Sequence, residues 1–144
     1  MKFKFQSSIN AIYSDELSEL LFFNINQISY KEHIIAAINN YGSPVILQTG
    51  DRITVSLKGN IDSHTLFLIG TEGGGEVLLG VAVFFKKNAN EAILLHIAVN
   101  HRLFDSTFLT LQLILEVKKY LKNITGIKNL SIFYSDRITS LRIS

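Results

Sequence analysis

The chain has no cysteine among its 144 residues. That absence removes a disulfide framework, a thiol nucleophile and any cysteine-based zinc or iron–sulfur site, and it leaves the redox compartment unmarked. Long apolar runs are missing too. The best candidates, residues 77–85 and 92–99, fall well short of the ~20 residues that cross a bilayer, so no membrane association is expected. Charge of one sign is scarce: 14 Lys and Arg against 12 Asp and Glu leave a net charge of +2. No basic stripe interleaved with aromatics marks a nucleic-acid surface. The one basic cluster, Lys118, Lys119 and Lys122, fits the last turn of a helix, where it complements the dipole. The N-terminus alternates Lys2, Phe3, Lys4 and Phe5 and soon turns acidic at Asp15 and Glu16, unlike a secretory signal. A cytoplasmic location is the expectation.

What is present is apolar. Hydrophobic residues make up 47% of the chain and charged residues 18%, with a mean hydropathy of +0.26. A chain of this length reads as a single domain over residues 1–144 that buries about two thirds of its unfolded surface. Disorder is excluded by the same composition. So apolar a balance in a small protein leaves surface to spare, which favours a protein partner or a homo-oligomer.

The alternation of residues 2–6 predicts an edge strand whose lysines discourage stray pairing. Ser14 is expected to cap a helix with Asp15 and Glu16 in its first turn and Leu17, Leu20 and Leu21 along one face. A second helix follows from the capping box Ser29–Glu32, from Ile34, Ile35, Ile38 and Tyr41, and from the stop at Gly42 and Pro44. Residues 45–57 predict a hairpin about Thr49-Gly50-Asp51, with Ile53, Val55 and Leu57 facing in. Residues 58–64 read as a polar loop, 66–69 as a short strand, and Gly73-Gly74-Gly75 as a hairpin tip before the strand 77–85. A phosphate-binding turn would have to open a helix, and here a strand follows.

Residues 92–99 form a nearly continuous apolar strand suited to the centre of a sheet covered on both faces, interrupted only by His96. Asp105, Ser106 or Thr107 can then cap a long apolar helix that carries residues 109–124 and ends at Gly126. Its apolar residues run most of the way round, so it should be buried between the sheet and either the N-terminal helices or a second subunit. A strand over 130–134 and a short tail over 137–144 complete the chain. The fold class expected is mixed α/β (α+β): a mostly antiparallel central sheet with N-terminal helices and one long apolar helix.

The strand of residues 75–83 with Gly80, the strand of residues 92–99 ending Ile97-Ala98-Val99, and the helix and strand that follow resemble the GCN5-related N-acetyltransferases (GNAT), over about half of the chain. The resemblance implies that the strand carrying Ile97 and Val99 lines the pantetheine arm of acetyl coenzyme A. It also implies that amides around Asp105, Ser106, Thr107 and Phe108 cradle the pyrophosphate. The family's loop places Arg or Gln and two small residues there, because a residue without Cβ lets the backbone approach the anion. Here those positions fall on Phe104, Thr107 and Leu109; a register beginning at Arg102 puts the small positions on Asp105 and Thr107. The family's asparagine, alanine and tyrosine fall at about Asp136, Thr139 and Ile143, and the tail leaves no room for its last two strands.

Within the resemblance, His96 is the candidate base and Tyr134 the stand-in acid. Each has a plainer reading, as a core histidine and as a packed ring with a wet hydroxyl. No metal site is expected, since His101 and Asp105 lack a third ligand, while His33 and His64 have no ligand types beside them. No Ser, His and acid grouping has motif spacing. Two functions remain open: a non-catalytic or catalytically degenerate protein-binding module, such as an immunity or antitoxin-type inhibitor or a regulatory subunit with no cofactor, and a divergent acetyl coenzyme A-dependent N-acetyltransferase.

Overall fold

The structure is a computed structural model that describes residues 1–22, 42–58, 62–124, 126–132 and 139–143. The helix expected from the Ser29 capping box lies outside the described residues, as do Tyr134 and Asp136. Nine strands and two helices are described: β1 Lys2–Gln6, β2 Ile9–Asn10, α1 Ser14–Phe22, β3 Pro44–Thr49, β4 Arg52–Leu57, β5 Ser63–Glu72, β6 Gly75–Lys86, β7 Glu91–Val99, α2 Ser106–Lys122, β8 Asn129–Ile132 and β9 Thr139–Arg142. Two sheets result, one of six strands in the order β1-β5-β6-β7-β8-β9 and one of three in the order β2-β4-β3. Every neighbouring pair is antiparallel except β7 with β8. The expected mixed, mostly antiparallel architecture is therefore present. So is the order that carried the resemblance: antiparallel strands, a loop, a helix and a parallel strand.

Local chemistry explains most elements. Gly50, Gly73 and Gly74 adopt positive φ at the two hairpin tips, where a Cβ would be strained. Ile53, Val55 and Leu57 point inward from β4 and are 1–3% exposed. Lys4 at the sheet edge meets Glu76 at 2.6 Å. Three expectations need correction. Ser14 is not an extended cap; its backbone is helical, because a 3-10 turn over Ala11–Tyr13 leads straight into α1 and Asn10 caps that turn by accepting from the Ile12 N–H. The polar loop ends early, since Ser63 and His64 already pair with Phe85 and Phe84 as the start of β5. The tail is not loose: Thr139–Arg142 pairs antiparallel with β8 as β9.

Each face of the large sheet has its own core. On one side α2 lays Leu109, Leu113, Val117 and Leu121 over Leu68, Leu79, Ala82, Phe84, Leu94 and Ile97. Gly80 makes that approach possible, because a Cβ there would meet Leu113 Cδ1 at 2.9 Å and the Ala98 carbonyl oxygen at 3.1 Å. On the other side Leu17, Leu20 and Leu21 of α1 pack with Ile53, Val55 and Leu57 of the small sheet onto Phe67, Leu78, Val81 and Val83. The two described helices thus occupy opposite faces, so α1 does not bury the outer side of α2. Phe108, Leu111 and Leu115 on that outer side are exposed.

Candidate functional site

β7 is the pivot of the site that the resemblance implied. Its register against β6 slips between the pairs Val83–His96 and Phe84–Leu94, which leaves Leu95 as the extra residue of a β-bulge. A bulge bends its strand and reverses the phase of the side chains beyond it. Ala92 and Leu94 before the bulge face α2, as do Ile97 and Val99 after it, so the strand changes parity at this point. The parallel ladder with β8 ends at Leu94–Ile132, at the bulge itself, among the described residues.

His96 lies opposite Val83, which belongs to the core on the α1 side. Cross-strand partners share a face, so His96 points away from α2. It is 4% exposed, and among the described residues its Nε2 is a buried side-chain polar atom without a hydrogen-bond partner. Burial pushes its pKa down from 6.5 to about 4, because the imidazolium would be stripped of water with no acid to offset the loss. At neutral pH this is an uncharged, weakly basic ring inside a core. Ile97 and Val99 are buried under α2, so their side chains serve packing. The structure brings neither of them to His96, which is on the other face.

The turn into α2 is occupied by its own groups. Asp105 caps the helix, and its Oδ1 accepts from the Phe108 N–H at 2.8 Å while its carbonyl accepts from the Leu109 N–H. Upstream, Asn100 takes the Arg102 N–H on its side-chain oxygen and the Leu103 N–H on its carbonyl. The amides at Arg102, Leu103 and Phe108 are therefore engaged. Ser106 and Thr107 stand beside a carboxylate that already complements the helix N-terminus. The rings of Phe3, Phe104 and Phe108 close over this end with centroids 5.4–5.5 Å apart. Arg102, the one cation in the loop's alternative register, lies 3.7 Å from Glu19 of α1. Of the amides that the resemblance assigns to the pyrophosphate, the one at Phe108 is taken by the Asp105 carboxylate.

A second convergence was invisible in the sequence. His64 Nδ1 and the Tyr120 hydroxyl are 3.3 Å apart, and both rings stack near Phe84 with centroids 5.2–5.6 Å apart. They border a cavity of about 370 Å³ between β4 and the start of β5, with Ser7, Thr54, Ser56 and Ser63 supplying hydroxyls. Fifty-six positions separate the histidine from the tyrosine, so no local motif could announce the pair. Among the described residues no three His, Asp or Glu side chains gather to hold a metal, and no helix is long and apolar enough to cross a membrane.

The architecture is a mixed α+β layer with a bulged central strand. No protein-family profile matches the chain, and no curated protein does. Among solved structures it is similar to a GNAT family acetyltransferase from Elizabethkingia anophelis with acetyl-CoA bound, at 14% identity and a TM-score of 0.48, over 90% of this chain and 63% of that one. The chain thus spans less than two thirds of that protein. A likeness this weak assigns neither an activity nor a ligand.

Proposed function

We infer that the chain is a non-catalytic protein-binding module that keeps an acetyltransferase-like layer, in the manner of an immunity or antitoxin-type inhibitor or a regulatory subunit acting in the cytoplasm. The observation that carries this reading is the Asp105 carboxylate on the Phe108 amide. An anion-binding helix terminus works by offering unsatisfied N–H groups and partial positive charge; here a carboxylate of the protein takes one of those N–H groups, that of Phe108, and sets negative charge beside the others. A pyrophosphate would meet like charge instead. His96, buried, neutral and without a hydrogen-bond partner on Nε2 among the described residues, supports the same reading, since a general base must reach the proton it removes. Calorimetry with acetyl coenzyme A tests it. No heat is expected at ligand concentrations up to the millimolar range, and micromolar binding that weakens when residues 105–108 are altered would overturn the reading.

A divergent acyl coenzyme A-dependent N-acetyltransferase is the second reading, favoured by one feature: the β7 bulge at Leu95. A bulge interrupts the regular pairing of a strand, which is what an extended arm laid along β7 would need.

A further inference from the structure

The outward side of α2 carries an apolar seam with a basic end. Phe108, Leu111, Leu115, Lys118 and Lys122 recur at spacings alternating three and four, the pattern by which one helix packs along another, and Phe104 precedes the helix beside Phe108. The seam lies opposite Leu109, Leu113, Val117 and Leu121, which are buried against the sheet. Phe104 and Phe108 are each 37% exposed, Leu111 50% and Leu115 49%. Phe104 and Phe108 rest partly on Phe3, while Leu111 and Leu115 stand half in water; such a cluster of exposed apolar side chains marks an interface. Beside it runs a groove of about 280 Å³ lined by Ser106, Thr107, Thr110, Leu111 and Ile114, shaped to receive a side chain from a facing helix.

We propose that this seam binds a second copy of the same chain, with the two α2 helices antiparallel about a two-fold axis. The seam is complementary to itself in that orientation only. Its aromatic end, beside the Asp105 carboxylate, falls against the partner copy's basic end, and the two leucines fall against each other, Leu111 on Leu115. Lysine stems then cover the Phe104 and Phe108 rings, an arrangement that suits both the apolar stem and the cationic head. A parallel pairing would set Lys118, Lys119 and Lys122 against their own copies. Antiparallel helices also oppose their dipoles favourably, and an isologous two-fold contact closes on itself rather than growing into a filament. This inference rests on the protein-binding reading and names its partner.

Sedimentation velocity on the intact chain tests it. A species of twice the 16.2 kDa chain mass is expected at tens of micromolar, dissociating on dilution. Leu115→Glu should weaken association at least tenfold with an unchanged circular dichroism spectrum, and with an unchanged melting temperature at concentrations where both chains are monomeric, because the side chain is half exposed. Lys122→Glu should weaken it by a smaller factor. The natural lack of cysteine gives a test of orientation. Mixed Leu111→Cys and Leu115→Cys chains should form a cross-linked pair on oxidation, whereas Lys122→Cys alone should not. A monomer at every concentration, a dimer indifferent to Leu115→Glu, or rapid Lys122→Cys self-linkage would each overturn the proposal. Failure here leaves the protein-binding reading intact with a different partner. Binding of acetyl coenzyme A would sink that reading and leave the dimer standing.

Discussion

The two faces of the six-stranded sheet are covered by different means. Beneath α2 a single helix of 17 residues closes a wholly apolar layer, and it does so by resting Leu113 on Gly80, where there is no side chain. The opposite face is a patchwork of α1 and the three-stranded sheet, and that face receives His96. One cover is efficient, and it leaves the helix with an apolar back that faces water. The other cover is composite, and it encloses a polar atom without a partner among the described residues. The comparison teaches that the two groups singled out in the sequence are kept apart: His96 and the N-terminus of α2 are on different sides of the sheet.

The largest expected effect breaks the comparison at its tightest contact. Leu113→Ala removes a fully buried side chain above a glycine, so nothing beneath can swell to fill the space. A loss in the upper half of the usual range of about 2–5 kcal/mol is expected. Leu17→Ala, equally buried on the composite face, should cost less, and equal losses in urea unfolding would erase the distinction. Next comes His96→Leu. The folded pKa of His96 is depressed to about 4 from 6.5, so the unfolded chain binds the proton more readily. Its contribution is complete above pH 6.5 and is lost as pH falls towards 4. The variant should therefore gain on the natural chain by roughly 3 kcal/mol between pH 7 and pH 4. Parallel pH–stability curves for the two proteins would show that the ring is solvated after all. The smallest effect is Asp105→Ala, which removes the cap on Phe108 and should cost about 1 kcal/mol. A stabilised variant in thermal melts would mean that the carboxylate is strained against the helix rather than holding it.

The sequence made the elements legible where punctuation is chemical. Asp105 as a cap, Gly50 and Gly73-Gly74 as tips, and the alternation of β1 and β4 were all readable, because each rests on one residue type or one period. The faces of β7 were not. From Ala92 to Val99 every residue is buried, so no polar position reveals which way any side chain points, and the bulge at Leu95 reverses the phase without trace in composition. That is why His96 could be singled out as a candidate base but could not be placed on the side away from α2. β9 was missed for the opposite reason, as Thr139–Arg142 offers too little apolar signal to mark a strand. The Asp105 cap was legible, and so was the negative charge that it sets beside an anion site; the hold of Asn100 on the Arg102 and Leu103 amides was not, because no motif marks it.

One hydrogen bond ties the halves of the architecture together. Thr65 of β5 donates its hydroxyl proton to the Val55 carbonyl of β4 at 2.9 Å, within the buried interior. It is a seam stitch between the large sheet and the small one, and parting the sheets would strand a carbonyl in an apolar setting at a cost of about 1–3 kcal/mol. The small sheet is therefore no detachable flap. Amide protons of β4 and β5 should trade with solvent in one slow class, as members of a single cooperative unit.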